Sequence, residues 1–132
     1  MSATPLLEGK TVVVTGASRG IGAGIAKACL DHGMQVSVCA RQAPTLDAGS
    51  SVLSSAADVS DGAAVQRLAD ATVEKFGKID LWINNAGVLK PIAPLRNCKS
   101  EEVQKHININ IMGVFHGMKS FINHLRSREG EG

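Results

Sequence analysis

Residues 12–22 read Val-Val-Val-Thr-Gly-Ala-Ser-Arg-Gly-Ile-Gly and decide the fold class of this chain. A short β-branched run leads directly into a turn that contains Gly16, Gly20 and Gly22, and an apolar helical pattern follows. Glycine lets the backbone turn tightly and approach a ligand closely, because it carries no Cβ. The first amides of the new helix lack helical partners and lie at the positive end of its dipole. The stretch therefore predicts a strand, a turn and a helix that bind an anion such as a dinucleotide pyrophosphate.

The glycine spacing leaves a second interpretation open. It is Gly-x-x-x-Gly-x-Gly, whereas the commoner dinucleotide fingerprint is Gly-x-Gly-x-x-Gly. Both spacings allow a tight turn and a close approach of the backbone to the phosphates. A turn of this kind between a strand and a helix also occurs without any ligand. The remainder of the chain has to decide between the two interpretations.

Length and composition indicate one globular domain in residues 1–132. Hydrophobic residues make up 44% of the chain and charged residues 20%, a balance typical of folded proteins. The 14 basic and 12 acidic residues are scattered, so charge gives no reason to expect nucleic acid or an anionic membrane as a partner. We find no signal-peptide pattern and no apolar run of about 18 residues, and we therefore expect a cytoplasmic protein.

The cysteines and histidines give no indication of a metal site. The three cysteines include no Cys-x-x-Cys pair, and we expect them to be reduced packing residues. Four histidines have no spacing typical of metal ligands, and surface or partly buried positions are the simpler interpretation. They are His32, His106, His116 and His124.

Hydrophobic periodicity predicts strands that alternate with helices. The predicted strands are residues 11–15, 35–40, 52–57 and 79–83. The predicted helices are residues 21–32, a helix capped by Ser60-Asp61 that runs to residue 76, and residues 100–126. Residues 43–51 and 90–99 are predicted loops, and residues 127–132 are predicted to form a polar tail.

This alternation predicts parallel pairing through right-handed crossovers. The fold class is therefore α/β, a Rossmann-type doubly wound parallel sheet with three layers α/β/α and about four strands in the order 3-2-1-4. In such a sheet the ligand crevice lies at the carboxyl ends of strands one and four.

Two motifs together resemble the short-chain dehydrogenase/reductase family. One is Thr-Gly-Ala-Ser-Arg-Gly-Ile-Gly at 15–22, and the other is Asn-Asn-Ala-Gly at 84–87, after the fourth predicted strand. Asp58-Val59 and Asn110-Ile-Met-Gly also fall where the family has an acid beside adenine and an asparagine that interrupts a long helix. The resemblance covers about residues 8–126. It implies a single NAD(P)-binding Rossmann domain, here its N-terminal portion, in an oxidoreductase.

The resemblance also implies the contacts of the cofactor. The glycine turn would lie against the phosphates and the adjoining ribose, Asp58 would accept from the adenine amino group, and residues 85–87 would pass beneath the ribose of the cofactor. Side-chain amides at positions 84 and 85 would also tie neighbouring strands together. Asn110 is the implied catalytic residue, which holds a water on the proton-relay route. The implied cofactor contacts are Gly16, Ser18, Arg19, Gly20, Ile21, Gly22, Arg41, Asp58, Val59, Asn85, Ala86 and Gly87.

Each of these segments has an ordinary alternative. Asp58 would suit a simple turn, Asn-Asn-Ala-Gly is by itself a turn sequence, and Asn108 and Asn110 would suit a solvated helix face.

The choice between cofactors depends on the residue that follows the second strand. An acidic residue there would accept from the 2′-hydroxyl of NAD and repel the 2′-phosphate of NADP. This chain has Arg41 at that point, and Arg19 in the glycine turn can approach the same phosphate. We therefore predict NADP(H), with NAD less favoured. A solvated arginine is the alternative interpretation of Arg41.

The sequence departs from the family in its catalytic residues. It contains no tyrosine, whereas the family moves the hydroxyl proton of the substrate with Tyr-x-x-x-Lys and polarises the substrate oxygen with a serine. We expect this chain to be an N-terminal portion that lacks the catalytic half and the substrate pocket. The implied substrate is a carbonyl or an alcohol, and the 132-residue chain is expected to be inactive alone.

Two other functions stay open at this point. The chain would also suit a nucleotide-binding module without chemistry, or a short product that dimerises and interferes with a full-length partner. The family's long helix packs between subunits, so residues 100–126 predict a homo-oligomer, with ordinary core packing as the alternative. An apolar edge at Leu81-Trp82-Ile83 and an uncovered apolar helix face predict poor solubility in isolation.

Overall fold

A computed structural model describes residues 6–46 and 49–128 of the chain. Within these residues one sheet contains four parallel strands in the order β3-β2-β1-β4. The strands are β1 Thr11–Thr15, β2 Gln35–Ala40, β3 Val52–Ala56 and β4 Leu81–Ile83. The predicted Rossmann-type fold and the predicted order 3-2-1-4 are therefore confirmed.

The helices pack on both faces of this sheet. They are α1 Gly20–Asp31, α2 Gly62–Phe76, α3 Ser100–Ile107 and α4 Gly113–Ser127, with a π-helical segment at Asn108–Met112 and 3₁₀ turns at Gly49–Ser51 and Leu95–Asn97. Val12 and Val14 of β1 lie in the cluster that includes Ala26 of α1, whereas Val13 lies in the cluster that includes Leu68 of α2. Because each strand alternates its side chains, a continuous valine run fills both cores and makes the three layers.

The ends of several elements differ from the prediction. The strand predicted at 79–83 begins at Leu81. Before it, the N–H of Thr11 donates to the carboxylate of Asp80 and the carbonyl of Ile79 accepts from Arg128, so these groups make no ladder bonds between β1 and β4. Asp61 caps α2 as predicted, since its Oδ1 accepts from the N–H groups of Ala63 and Ala64. Ser60 has a different role and donates to Asp58.

Residues 100–127 are helical throughout, so the long helix predicted at 100–126 is present, but it is not a uniform α-helix. α3 and α4 are separated by the π-helical segment Asn108–Met112, where the cap N–H of Gly113 bonds the carbonyl of Asn108. The extra residue in this turn changes which side chains face the sheet. Periodicity reasoning assumes an uninterrupted helical repeat, and it therefore missed the break.

The first two residues of the polar tail predicted at 127–132 are attached to the domain. Ser127 is the last residue of α4, and Arg128 donates from Nη1 to the carbonyl of Ile79 at 2.9 Å. Nη2 of Arg128 also lies 3.5 Å from Oδ1 of Asp80. Residues 129–132 lie outside the described residues.

Packing of α4 against the domain relies on small residues together with the ring of Phe121. Gly113, Gly117 and Ser120 are buried against the rest of the domain. The large apolar side chains on the opposite side are exposed by 47–60%, and they are Ile111, Phe115, Met118 and Ile122. The uncovered apolar face expected from the sequence is therefore present.

The predicted apolar edge at β4 holds only in part. Leu81 is 42% exposed, but Trp82 is only 9% exposed because α4 covers it. The ring of Phe121 stacks near the indole, with 6.3 Å between the ring centroids. Across the described residues no helix has both the length and the apolar content that crossing a membrane requires.

Candidate functional site

A crevice of about 400 Å³ opens at the carboxyl ends of β1 and β4. All the cofactor contacts predicted from the sequence line it except Gly22. Four further residues line the crevice that sequence reasoning did not select, namely Ala40, Ala57, Val88 and Ile109. Each of the four directly adjoins a selected residue or motif, so a wider window around each motif would have found them.

The glycine turn forms the floor of the crevice through close backbone contacts. Gly16 has a φ of +66°, and a Cβ there would lie 2.7 Å from Cα of Ala86. A Cβ at Gly22 would overlap the side-chain amide of Asn85 and the carbonyl of Gly16. Gly22 therefore packs against the side of the turn that faces away from the crevice, which explains why it does not line the crevice itself.

The N-terminus of α1 faces this crevice and is open to an anion. Its cap residue Arg19 is extended at φ −162° and makes no side-chain capping hydrogen bond, and the first turn of α1 contains no acidic residue. Gly20 and Ile21, the first residues of α1, line the crevice, and Ile21 is 76% exposed. A backbone cradle with free amides and no Cβ at its floor fits the pyrophosphate of a dinucleotide.

Thr15 and Asn85 tie the two sides of the crevice together. The hydroxyl of Thr15 accepts from the backbone N–H groups of Asn85 and Ala86, both at 3.1 Å. The side-chain Nδ2 of Asn85 donates to the carbonyls of Thr15 and Gly16, also at 3.1 Å. The predicted link between strands is therefore made by Asn85. Asn84 instead accepts from the indole N–H of Trp82 in its own segment.

Thr15 was not among the residues selected from the sequence. It is 2% exposed, and its hydroxyl satisfies two backbone donors at the end of β4. A threonine at the last position of a buried strand is the signal that would have found it, because a buried hydroxyl needs hydrogen-bond partners.

The loop after β3 presents Asp58 at the edge of the crevice. Asp58 accepts from the hydroxyl of Ser60 at 2.7 Å and from its backbone N–H at 2.9 Å. These two hydrogen bonds, followed by the charges of Arg41 and Lys105, hold the pKa of Asp58 below its ordinary value. The carboxylate therefore stays ionised and able to accept a hydrogen bond from a ligand.

α4 holds this loop in place at Val59. Nδ1 of His116 donates to the carbonyl of Val59 at 2.8 Å, and Gly113 packs against the Val59 side chain. The His116 ring also packs on Gly62, where a Cβ would lie 3.0 Å from a ring carbon. The sequence predicts only a surface or partly buried position for His116. Its hydrogen bond to the loop after β3 is visible only in the tertiary structure.

Basic side chains lie at the edge of the crevice beyond β2, near the acidic side chains of Asp58 and Glu101. Arg19 and Arg41 both line the crevice, and Arg41 also lines an adjoining cavity of about 610 Å³ together with Lys105 of α3. The two cavities share Asp58 as well. Lys105 was not selected from the sequence, because nothing in its local pattern shows that α3 lies beside the loop after β3.

Asn110 lies in the π-helical segment, and its side chain turns towards the loop after β4. Its Oδ1 accepts from the N–H of Val88 and its Nδ2 donates to the carbonyl of Val88, each at 2.7 Å. Its neighbour Ile109 lines the crevice instead. The carboxamide therefore fastens the backbone that follows Asn85, Ala86 and Gly87. Residues 6–46 and 49–128 contain no group of His, Cys, Asp and Glu that could hold a metal ion.

The fold and the crevice together define a Rossmann-type protein with a site for a dinucleotide at its glycine turn. Residues 10–132 match the family described as short chain dehydrogenase. The chain belongs to this family of oxidoreductases.

Curated relatives and solved structures agree with this assignment. The chain is 37% identical to 3beta-hydroxysteroid dehydrogenase 1 of Eggerthella lenta, with 96% of this chain and 51% of that protein covered. It is 38% identical to L-fucose dehydrogenase of Oryctolagus cuniculus, with 92% and 44% covered. It resembles the structure of 3-ketoacyl-(acyl-carrier-protein) reductase from Brucella melitensis complexed with NADH, with a TM-score of 0.86, 32% identity, and 92% and 52% covered. The chain thus spans about half the length of these proteins.

Proposed function

We propose that this chain is the cofactor-binding portion of an NADP(H)-dependent short-chain dehydrogenase/reductase. The whole enzyme would interconvert a carbonyl and an alcohol, and the bound nicotinamide would supply or accept the hydride. The observation that carries the cofactor choice is the pair Arg19 and Arg41 on the edge of the crevice, with no acidic side chain directly after β2.

Different residues of the crevice would bind different parts of the cofactor. The amides of Gly20 and Ile21 at the start of α1 would hold the pyrophosphate, and Asp58 would accept from the adenine amino group. Arg19 and Arg41 would pair with the 2′-phosphate. A charge-assisted hydrogen bond contributes about 1.5–3 kcal/mol, so one arginine supports a preference for NADPH over NADH of roughly ten- to a hundredfold.

Asn110 would fix the position of the loop that follows β4. Its carboxamide is bonded to both backbone groups of Val88, so it would hold the loop that passes beneath the cofactor ribose. Asn110 would also hold the water on the proton-relay route that the resemblance to the family implies.

Two further properties belong to the same proposal. The chain has no tyrosine, so the general acid would have to come from sequence outside these 132 residues, and the chain alone would be inactive. The scattered charge pattern supports a protein without a nucleic-acid or membrane partner.

The exposed face of α4 supports a homo-oligomer. Ile111, Phe115, Met118 and Ile122 recur every three or four residues, which is the spacing of a helix–helix seam. A second copy of the chain would cover this stripe and remove its apolar surface from water. The same exposed stripe would also support the second candidate function, in which a short product dimerises with a full-length partner.

Calorimetric titration with NADPH and NADH tests the proposed cofactor. We expect the 132-residue chain to bind NADPH more tightly, Arg41→Ala to lose most of that preference, and Arg41→Asp to reverse it. Arg126→Ala, an exposed arginine at the far end of α4, is the matched control and should bind as the native chain does. Equal affinity for the two nucleotides would refute the NADP assignment, and binding of neither would count against the cofactor function of this chain.

A further inference from the structure

His106 connects α3 to two points of the loop that follows β4. Its Nε2 lies 3.0 Å from Nδ2 of Asn110, and its Nδ1 lies 2.9 Å from the carbonyl oxygen of Lys90. Asn110 in turn is bonded to both backbone groups of Val88 at 2.7 Å. One imidazole and one carboxamide therefore fasten residues 88–90 to the helices.

The donors and acceptors in this network fix the protonation of His106. The N–H of Val88 can only donate, so the Asn110 oxygen must face it and the Asn110 nitrogen must face the Val88 carbonyl. The second N–H of that nitrogen then points at Nε2 of His106, which must accept and carry no hydrogen. A neutral imidazole with its hydrogen on Nδ1 meets this demand, and the same hydrogen bonds the Lys90 carbonyl.

We infer that His106 is a positioning residue for Asn110 and thereby for the wall of the cofactor crevice. Gly87 and Val88 line that crevice, and a Cβ at Gly87 would lie 3.4 Å from Oδ1 of Asn110. A rotation of the carboxamide would therefore move the backbone at Gly87 and Val88. The inference rests on the proposed function only in identifying the crevice as the cofactor site.

Substitutions of His106 can distinguish the hydrogen bond made by Nδ1 from the hydrogen bond made by Nε2. His106→Gln places an amide oxygen near the position of Nε2 and can still accept from Asn110. His106→Asn is shorter, retains a donor for the Lys90 carbonyl and has nothing that reaches Asn110. His106→Leu removes both contacts. His32→Leu is the matched control, because among the described residues the side chain of His32, at the C-cap of α1, bonds only the carbonyl of Ala28.

Nuclear magnetic resonance on the native chain tests the network without any cofactor. A long-range ¹H–¹⁵N spectrum at about pH 8, where imidazole is ordinarily neutral, should show the His106 hydrogen on Nδ1. The two side-chain N–H signals of Asn110 should both lie downfield. His106→Leu and His106→Asn should lose the downfield shift of one signal, whereas His106→Gln and His32→Leu should keep it.

Nucleotide affinity provides the second readout. Loss of one hydrogen bond that orients the wall should weaken NADPH binding by about three- to tenfold in His106→Leu and His106→Asn, with recovery in His106→Gln. A hydrogen on Nε2, unchanged Asn110 signals in His106→Leu, or a His106→Gln variant that behaves like His106→Leu would overturn the inference. If the native chain shows the expected signals but binds no nucleotide, the positioning role stands and the proposed cofactor function fails.

Discussion

The backbone of α4 at Gly113 lies directly against the side chain of Val59, and a Cβ at Gly113 would lie 2.7 Å from Cγ2 of that valine. Val59 belongs to the loop that presents Asp58 to the crevice. A buried glycine in α4 therefore sets how closely the helix approaches the side of the candidate site formed by Asp58 and Val59.

Gly113→Ala is expected to destabilise the chain and to weaken nucleotide binding. The added methyl group has to displace Val59, and overpacking of this kind costs about 1–3 kcal/mol, offset in part by the better helix propensity of alanine. Gly24→Ala is the matched control, since no heavy atom lies within 4 Å of a Cβ there. That control should stabilise α1 by up to about 1 kcal/mol. Thermal unfolding measures the stability of both variants. Equal stability of Gly113→Ala and the native chain would show that Val59 can move aside without loss of stability.

Thr15→Val is expected to loosen the junction between β1 and the loop after β4. The substitution conserves shape but leaves the N–H groups of Asn85 and Ala86 without their acceptor. An unpaired buried donor costs about 1–3 kcal/mol, so urea unfolding should show a loss in this range or above it. Thr15→Ser keeps the hydroxyl and should retain nucleotide affinity. If Thr15→Val binds NADPH as the native chain does, the junction does not shape the crevice.

The stability of the chain should fall as the pH drops below about 6.5 because of His124. Burial, and after it the charge of Arg128, lowers the pKa of His124 from 6.5, while Asp80 opposes the shift. The folded state then binds a proton less readily than the unfolded state, so the free energy of unfolding decreases as the pH falls through this range. The geometry requires the same, because Nε2 of His124 accepts from the N–H of Ile79 at 2.9 Å.

His124→Gln provides the control for this pH dependence. An amide oxygen can accept from the N–H of Ile79 but does not titrate, so the variant should show a shallower loss of stability between about pH 7.5 and pH 5. The measurement is urea unfolding at several pH values. An identical slope in the variant and the native chain would assign the acid sensitivity to other groups.

Met118→Lys is expected to break the proposed association through α4. The substitution places a charge in the exposed apolar stripe, where a second copy would have to desolvate it. Asn123→Lys adds the same charge at an exposed position outside that stripe and should leave association unchanged. Sedimentation velocity should show the native chain as an oligomer and Met118→Lys at the 13.8 kDa of a monomer. A native chain that is already monomeric at all concentrations would refute the proposed seam.

The fold could be predicted largely from local patterns. The strand at Thr11–Thr15 and the strand at Gln35–Ala40 were predicted with the observed ends, because a parallel strand buried on both faces is a continuous apolar run. The break between α3 and α4 could not be predicted from periodicity. A π turn adds one residue to a helix without changing its composition, so only the motif that begins at Asn110 indicated it, through the family resemblance.

The sequence by itself determined the parallel sheet, its strand order and the glycine turn, since these depend on residue periodicity and on where a Cβ is absent. Only the tertiary structure decided which groups the turn meets, because contacts such as Thr15 with Asn85 join residues about seventy positions apart. It also decided that Asn110 faces Val88 and His106. It further decided that the glycines of α4, together with Phe121, pack this helix against the domain. Hydrogen-bond partners and close packing depend on distances between elements, and no spacing along the chain encodes those distances.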